Sequence, residues 1–321
     1  MISGTSEPRQ AVIIDTDPGV DDAIAILLAL AYPGFEVIGL TTTAGNVPRS
    51  RATRNALALL DHVGRNDVPV YAGAARPIQG KFAYARHVHS PAGLTRRLPN
   101  PVTLPSNVGA VRFLAQSLLA EPNDVTVIAL GPLTNLARLL KRNSRALQSA
   151  KRIVIMGGAV DFPGNATTHS EFNFFSDPTA ARLVIESGIP VTLVDLAACR
   201  QVYLTRADAR SLSSPNPYGK LAAELVSGWF NRDCSREKFW MYDPLAVVAA
   251  IEARALDTHR LTLAVDDAGT TNDGNKWGRC TVVSGGNSNV LVAQPDGVDA
   301  RLALQTITHL LDWSRAPIPT A

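Results

Sequence analysis

The stretch Asp15-Thr16-Asp17-Pro18-Gly19-Val20-Asp21-Asp22 places four carboxylates within eight residues. The apolar run Ala11-Val12-Ile13-Ile14 precedes it, and Ala23-Ile24-Ala25-Ile26-Leu27-Leu28-Ala29-Leu30 follows it. A short β-branched run, a Pro-Gly turn and a longer apolar run read as strand, tight turn and helix. Four negative charges packed together resist burial unless a cation neutralises them. The arrangement predicts a hard metal ion, bound through oxygen at the C-terminal edge of a sheet. Helix capping accounts for Asp21 and Asp22, but not for Asp15 and Asp17 on the strand side.

The same rhythm continues along the chain. Strands are expected at Val12–Asp15, Val37–Thr42, Val68–Tyr71, Val125–Leu130, Arg152–Met156 and Val191–Asp195. Helices are expected at Asp21–Ala31, Arg49–Val63, Val108–Ala120, Leu133–Lys141 and Pro178–Ser187. Such alternation points to the α/β class: a single Rossmann-like domain with a mostly parallel central sheet flanked by helices. Two segments interrupt it, Pro77–Pro105 and Gly157–Asp177. Long irregular connections of this kind build sites in doubly wound sheets. Further on, Tyr218–Phe230, Pro244–Glu252 and Asp299–Trp313 read as helices, and Arg260–Val265, Arg279–Val283 and Asn289–Ala293 as strands. No Ser/Gly-rich linker or internal repeat divides residues 1–321, so one domain is expected, with residues 1–10 as a flexible N-terminal tail.

Composition narrows the partners. Lys and Arg number 31 against 28 Asp and Glu, a net charge of +3, which gives no basis for nucleic-acid or membrane binding. Cys199, Cys234 and Cys280 are odd in number and show no zinc spacing, so a reducing cytoplasm is the expected compartment. Residues 1–10 lack the apolar core of a signal peptide, and Ala23–Tyr32 is too short to span a bilayer.

Asp15-Thr16-Asp17-Pro18-Gly19-Val20-Asp21-Asp22-Ala23 resembles the N-terminal signature of the inosine-uridine nucleoside hydrolase family. Further matches follow in order along nearly the whole chain. They are Thr43-Ala44-Gly45-Asn46-Val47, Leu130-Gly131-Pro132-Leu133-Thr134-Asn135, Met156-Gly157-Gly158, Gly164-Asn165, Glu171-Phe172-Asn173, Asp177-Pro178 and Asp243-Pro244. The haloacid-dehalogenase phosphatases also place two Asp one residue apart after a strand. They usually carry Thr or Val four residues after the first, where this chain has Gly19, and they lack the second Asp pair.

The resemblance implies hydrolysis of the N-glycosidic bond of a ribonucleoside to ribose and free base, through an oxocarbenium-like transition state. It implies Ca²⁺ as cofactor, held by the carboxylates of Asp17, Asp22 and Asp243 and the backbone carbonyl of Leu130. Asp17 is then also the general base for a calcium-bound water. Ribose hydroxyls are expected to meet Asp21, Asn165, Glu171 and Asn173, with Met156 under the sugar and Asn46 near the nucleophilic water. Asp15 is expected to shape or support the turn. Asn135 fits helix capping as well as catalysis, Asn165 fits a turn, and Asp243 before Pro244 also fits a cap. Phe172, Phe174 and Phe175 read as core. Members of the family are commonly dimers or tetramers, so a homodimer or homotetramer is implied.

The leaving-base side departs from the pattern. The inosine-uridine branch has a His before the acidic residue of the late Asp-Pro pair, and the purine-preferring branch has Trp. This chain has Tyr242, with Trp240 two residues earlier. Tyrosine, with a pKa near 10, donates a hydrogen bond but is a poor proton reservoir at neutral pH. His89, in His89-Ser90-Pro91-Ala92-Gly93-Leu94, matches a family His near the base pocket, with His87 and His169 as neighbouring candidates. Two other classes fit the acidic turn: a metal-dependent phosphohydrolase, and a non-catalytic nucleoside-binding relative that has lost its acid.

Overall fold

The structure is a computed structural model; it describes residues 9–82, 84–85, 90–268, 276–285 and 289–314. The strands are β1 (Gln10–Thr16), β2 (Phe35–Thr42), β3 (Val70–Ala72), β4 (Thr126–Ala129), β5 (Arg152–Met156), β6 (Val191–Val194), β7 (Tyr203–Thr205), β8 (Lys238–Trp240), β9 (Leu256–Leu261), β10 (Leu263–Val265), β11 (Cys280–Val282) and β12 (Val290–Val298). The helices are α1 (Val20–Ala31), α2 (Arg49–His62), α3 (Ala110–Ala120), α4 (Thr134–Arg142), α5 (Ser144–Gln148), α6 (Phe172–Ser176), α7 (Pro178–Ile185), α8 (Leu196–Cys199), α9 (Arg206–Ser211), α10 (Pro217–Asn231), α11 (Tyr242–Ile251) and α12 (Ala300–Leu310).

Eight strands form the central sheet in the order β3-β2-β1-β4-β5-β6-β12-β9. Every neighbouring pair is parallel except β12 with β9. Strand order reverses between β1 and β4, where a ligand crevice opens in sheets of this kind. Side-chain alternation along β1 divides the core: Val12 and Ile14 join one apolar cluster and Ile13 the other. On the first face, α1 packs against α10 and α11. Nearly every residue of α1 is buried, which explains why its apolar run shows no polar stripe. Leu136 of α4 and Val184 of α7 lie in the cluster on the second face.

Most expected elements occur with shifted ends, and three differences matter. Arg260–Val265 is not one strand: β9 lies antiparallel to β12, while β10 pairs with β11 in a separate ribbon. No Gly or Pro marks that break, because the distant pairing partners impose it. The ribbon of β7 and β8 was not expected, since three-residue strands carry too little pattern. The irregular region Gly157–Asp177 contains the short helix α6. At the N-terminus Gln10 already belongs to β1, and residues 1–8 lie outside the described residues.

Candidate active site

The acidic turn leaves the C-terminal end of β1 beside the crevice, and each carboxylate has different surroundings. The side chain of Asp15, fully buried, accepts hydrogen bonds from Thr41 Oγ1 at 2.5 Å and Asn135 Nδ2 at 2.7 Å. Asn135 also donates to the Thr42 carbonyl at 3.2 Å, and its Oδ1 accepts from the Ala74 amide at 2.9 Å. It neither caps α4 nor lines the cavity described below; it ties the ends of β1, β2 and β3 together. Asn135→Ala leaves these buried groups unpaired and should destabilise the fold by about 1–3 kcal/mol. Chemical denaturation checks this, and an unchanged midpoint would refute the tie.

Asp22 is the anchor of the turn. Its Oδ1 accepts from Thr16 Oγ1 at 2.5 Å and the Asp17 amide at 3.2 Å; its Oδ2 accepts from the Gly19 amide at 2.9 Å and Asn46 Nδ2 at 3.0 Å. Asp21 Oδ1 accepts from the Asp22 amide at 3.2 Å. The capping reading therefore describes part of what Asp21 and Asp22 do.

Asp17, like Asp15, has one satisfied and one unsatisfied oxygen, but its unsatisfied oxygen faces a glycine. Oδ2 accepts from the Asn46 amide at 2.5 Å, whereas Oδ1 is buried with no hydrogen-bond partner. Glycines hold the space around it. A Cβ on Gly131 would sit 2.5 Å from Asp17 Oδ1, and one on Gly45 would overlap Oδ2. An orphaned buried carboxylate oxygen in a glycine cradle is a poor arrangement for protein alone and a good one for a cation.

The electrostatics agree. Carboxylate oxygens of Asp21, Asp22 and Asp243 all lie within 4.8 Å of one another. Burial, with repulsion from neighbouring carboxylates, raises Asp17 and Asp243 well above the ordinary Asp range. Burial also pushes Asp15 up to about 7, Glu171 to about 7 and Asp21 to about 6. Protons are the weak alternative to a divalent ion here, and the all-oxygen donor set suits a hard one. Asp21, expected on the ribose, thus belongs to the metal-competent trio as well as to the cavity wall, whereas Asp17 is not one of the three.

A cavity of about 540 Å³ opens above this cluster. Asp21, Asn46, Leu130, Met156, Asn165, Glu171, Asn173, Tyr242 and Asp243 all line it, drawn from segments spread across the chain. Asp17 and Asp22 are fully buried and are not among the lining residues. Glu171 caps α6, accepting from the amides of Asn173 at 2.8 Å, Gly158 at 3.0 Å and Phe174 at 3.1 Å. Asn173 Nδ2 donates to the Leu130 carbonyl at 2.8 Å and to the Met156 carbonyl at 3.2 Å. Asn165 Oδ1 accepts from the Phe172 amide at 2.9 Å, so its turn role and its place on the cavity wall coexist. No side chain caps α11, so Asp243 is not serving as its cap.

The remaining wall is aromatic. Of the three phenylalanines expected in the core, only Phe174 is fully buried there; Phe172 and Phe175 line the cavity. Helices of five residues expose alternate sides over too short a span for periodicity to sort them. Trp240 and Tyr242 stack with ring centroids 6.1 Å apart. Burial raises the Tyr242 phenol above its ordinary range, against the opposing pull of Arg200, so it stands as a neutral donor. His89 and His87 lie outside the described residues, and His169 is exposed and does not line the cavity. Tyr84, Arg200, Trp229 and Phe239 also line it and were not anticipated. The lone charge of Arg200, directly after the apolar Leu196–Cys199, was the one available signal among them.

The model of the family described as inosine-uridine preferring nucleoside hydrolase matches residues 12–304. The chain belongs to this family. It is 40% identical to a probable uridine nucleosidase 2 of Oryza sativa subsp. japonica, over 76% of this chain and 74% of that protein. It is 37% identical to the pyrimidine-specific ribonucleoside hydrolase RihA of Shewanella oneidensis, over 79% of this chain and 82% of that one. A plant nucleoside hydrolase, PpNRh1, superposes with a TM-score of 0.86 at 30% identity, covering 95% of this chain and 99% of its own. Like the rest of the nucleoside hydrolase family, this chain is an N-glycosyl hydrolase that splits ribonucleosides into ribose and base. The phosphohydrolase and the non-catalytic binder give way to that activity.

Proposed function

We propose that this nucleoside hydrolase is a Ca²⁺ enzyme that prefers pyrimidine ribonucleosides, uridine foremost. The observation that carries the ion is the unpaired, buried Asp17 Oδ1 beside the crowded carboxylates of Asp21, Asp22 and Asp243. Asp17, Asp22, Asp243 and the Leu130 carbonyl would hold the ion, with Asp21 within its reach. Bound there, it supplies the positive charge that keeps these carboxylates ionised and makes a nearby water more acidic.

The chain's own groups do the rest. Asp17 takes the proton of the attacking water, and the Asn46 amide, on Asp17 Oδ2, fixes that carboxylate's orientation. Asp21, Asn165, Glu171 and Asn173 meet the ribose hydroxyls; carboxylates accept from them and amides do both. Met156 lies under the sugar. The negative wall also favours the cationic character that the sugar ring acquires as the bond to the base lengthens. Tyr242 and the aromatic wall receive the base, and Tyr242 donates a hydrogen bond to it rather than a proton. His89 is a second candidate for that side.

The uridine preference rests on the 40% identity to the rice uridine nucleosidase and the 37% identity to the Shewanella pyrimidine enzyme. We place the enzyme in the cytoplasm as a single-domain homodimer or homotetramer; the three free cysteines support the compartment. Among the described residues, no helix is long and apolar enough to cross a membrane. The direct test incubates the protein with Ca²⁺ and uridine, cytidine, inosine, adenosine or guanosine and measures free ribose and base. Uracil should appear fastest, and chelation followed by Ca²⁺ should abolish and restore it. Faster purine release, or full turnover after chelation, would overturn the corresponding half of the proposal.

A further inference from the structure

Arg200 is the one cationic side chain among the described residues that line the cavity. It follows α8, at the end of β6, so it stands on the same C-terminal edge of the sheet as the acidic turn. Its guanidinium carbon lies 5.3 Å from the ring centroid of Trp240 and 5.7 Å from that of Phe162. Tyr242 shares a hydrogen bond with it. Its Nε is buried with no hydrogen-bond partner, and no carboxylate among the described residues pairs with it.

A half-buried guanidinium normally finds a carboxylate or phosphate. Carboxylates are plentiful in this cavity, at Asp21, Glu171 and Asp243, yet Arg200 rests on aromatic faces instead. Those faces hold a planar cation without neutralising it. The positive charge is thereby left unneutralised beside whatever occupies the aromatic wall.

We propose that Arg200 stabilises the departing base, which selects for bases with carbonyl oxygens such as uracil. The proposal rests on the uridine reading given above. When the bond from the sugar carbon to the base nitrogen breaks, its electron pair goes to that nitrogen and spreads onto the ring carbonyl oxygens. The water oxygen forms the new bond to the sugar carbon, and its proton passes to Asp17. Arginine does not release a proton in proteins, so Arg200 keeps its own and donates hydrogen bonds to the developing anion. Solvent protonates the base after it has left. This answers the absence of a histidine at position 242 with electrostatic stabilisation rather than acid catalysis. Five donors and no acceptor also disfavour a base that presents an amino group to the same wall.

The test compares uridine with p-nitrophenyl β-D-ribofuranoside, whose leaving group is already a stable anion. Arg200→Met should lower kcat/KM for uridine by about 10²-fold or more, the scale for losing one such donor. The nitrophenyl substrate should lose less than about threefold, because its leaving group needs little help. Arg200→Lys, which keeps charge but loses the planar fork, should fall between wild type and Met. Equal losses on both substrates would mean a structural role, and an unchanged uridine rate would mean no role; either overturns the proposal while leaving the hydrolase reading intact. Wild-type turnover of the nitrophenyl riboside without turnover of uridine would instead remove the uridine reading, and this inference with it.

Discussion

Asp17→Asn is expected to lower kcat for any ribonucleoside by about 10²–10⁴-fold, the range for removing a positioned general base. The substitution preserves shape in a fully buried site where Gly45 and Gly131 leave no room for adjustment. On the proposed reading it removes a charge from the ion's surroundings and the acceptor for the water's proton together. Two measurements separate those effects. If Asp17 is chiefly a ligand, Ca²⁺ affinity read by calorimetry falls and excess Ca²⁺ recovers most of the rate. If it is also the base, saturating Ca²⁺ leaves the rate low. Asp243→Asn, which alters a member of the crowded trio, should weaken Ca²⁺ and be rescued more fully. Turnover of Asp17→Asn at the wild-type rate would end the assignment of Asp17.

The second large effect concerns stability without metal. Asp15 and Glu171 are pushed up to about 7, and Asp21 and Asp195 to about 6, with burial the main cause in each. Asp17 and Asp243 are also raised well above the ordinary range, by burial first and then by neighbouring carboxylates. Unfolded, these groups ionise near 4. Between about pH 4 and 7 the folded chain therefore binds more protons than the unfolded one, so stability falls as pH rises. Asp61 and Asp67, with lowered values, act below this window, and His62, lowered by burial, opposes the trend with a single proton. The melting temperature of metal-free protein should thus drop from pH 5 to pH 8. Bound Ca²⁺ favours the ionised carboxylates, so the rise in melting temperature that it causes should be larger at pH 8 than at pH 5. A metal-free protein that melts higher at pH 8 would contradict the burial of this cluster without a cation.

The legible part of the site is the part held by neighbours in sequence. A β-branched run, a Pro-Gly turn and an apolar run specify β1, the turn and α1, because strand pairing faces, turn geometry and helix capping are set within a few residues. Asp15, Asp17, Asp21 and Asp22 were visible in that frame before any fold was known. Asn135 was ambiguous, because its three hydrogen-bond partners belong to the ends of other strands. The split of Arg260–Val265 between two sheets was invisible for the same reason.

By itself the sequence determined the α/β alternation and the acidic turn, whose charge density pointed to a cation, since local periodicity and charge density follow directly from residue order. Asp243 was tied to the turn only through the family resemblance, and the tertiary structure is what brings it beside Asp21 and Asp22. Only the tertiary structure placed Arg200, Trp229, Phe239 and Tyr84 on one cavity with Tyr242. Those contacts join segments far apart in the chain. They exist because a parallel sheet brings its strand ends to one edge, which no local pattern records.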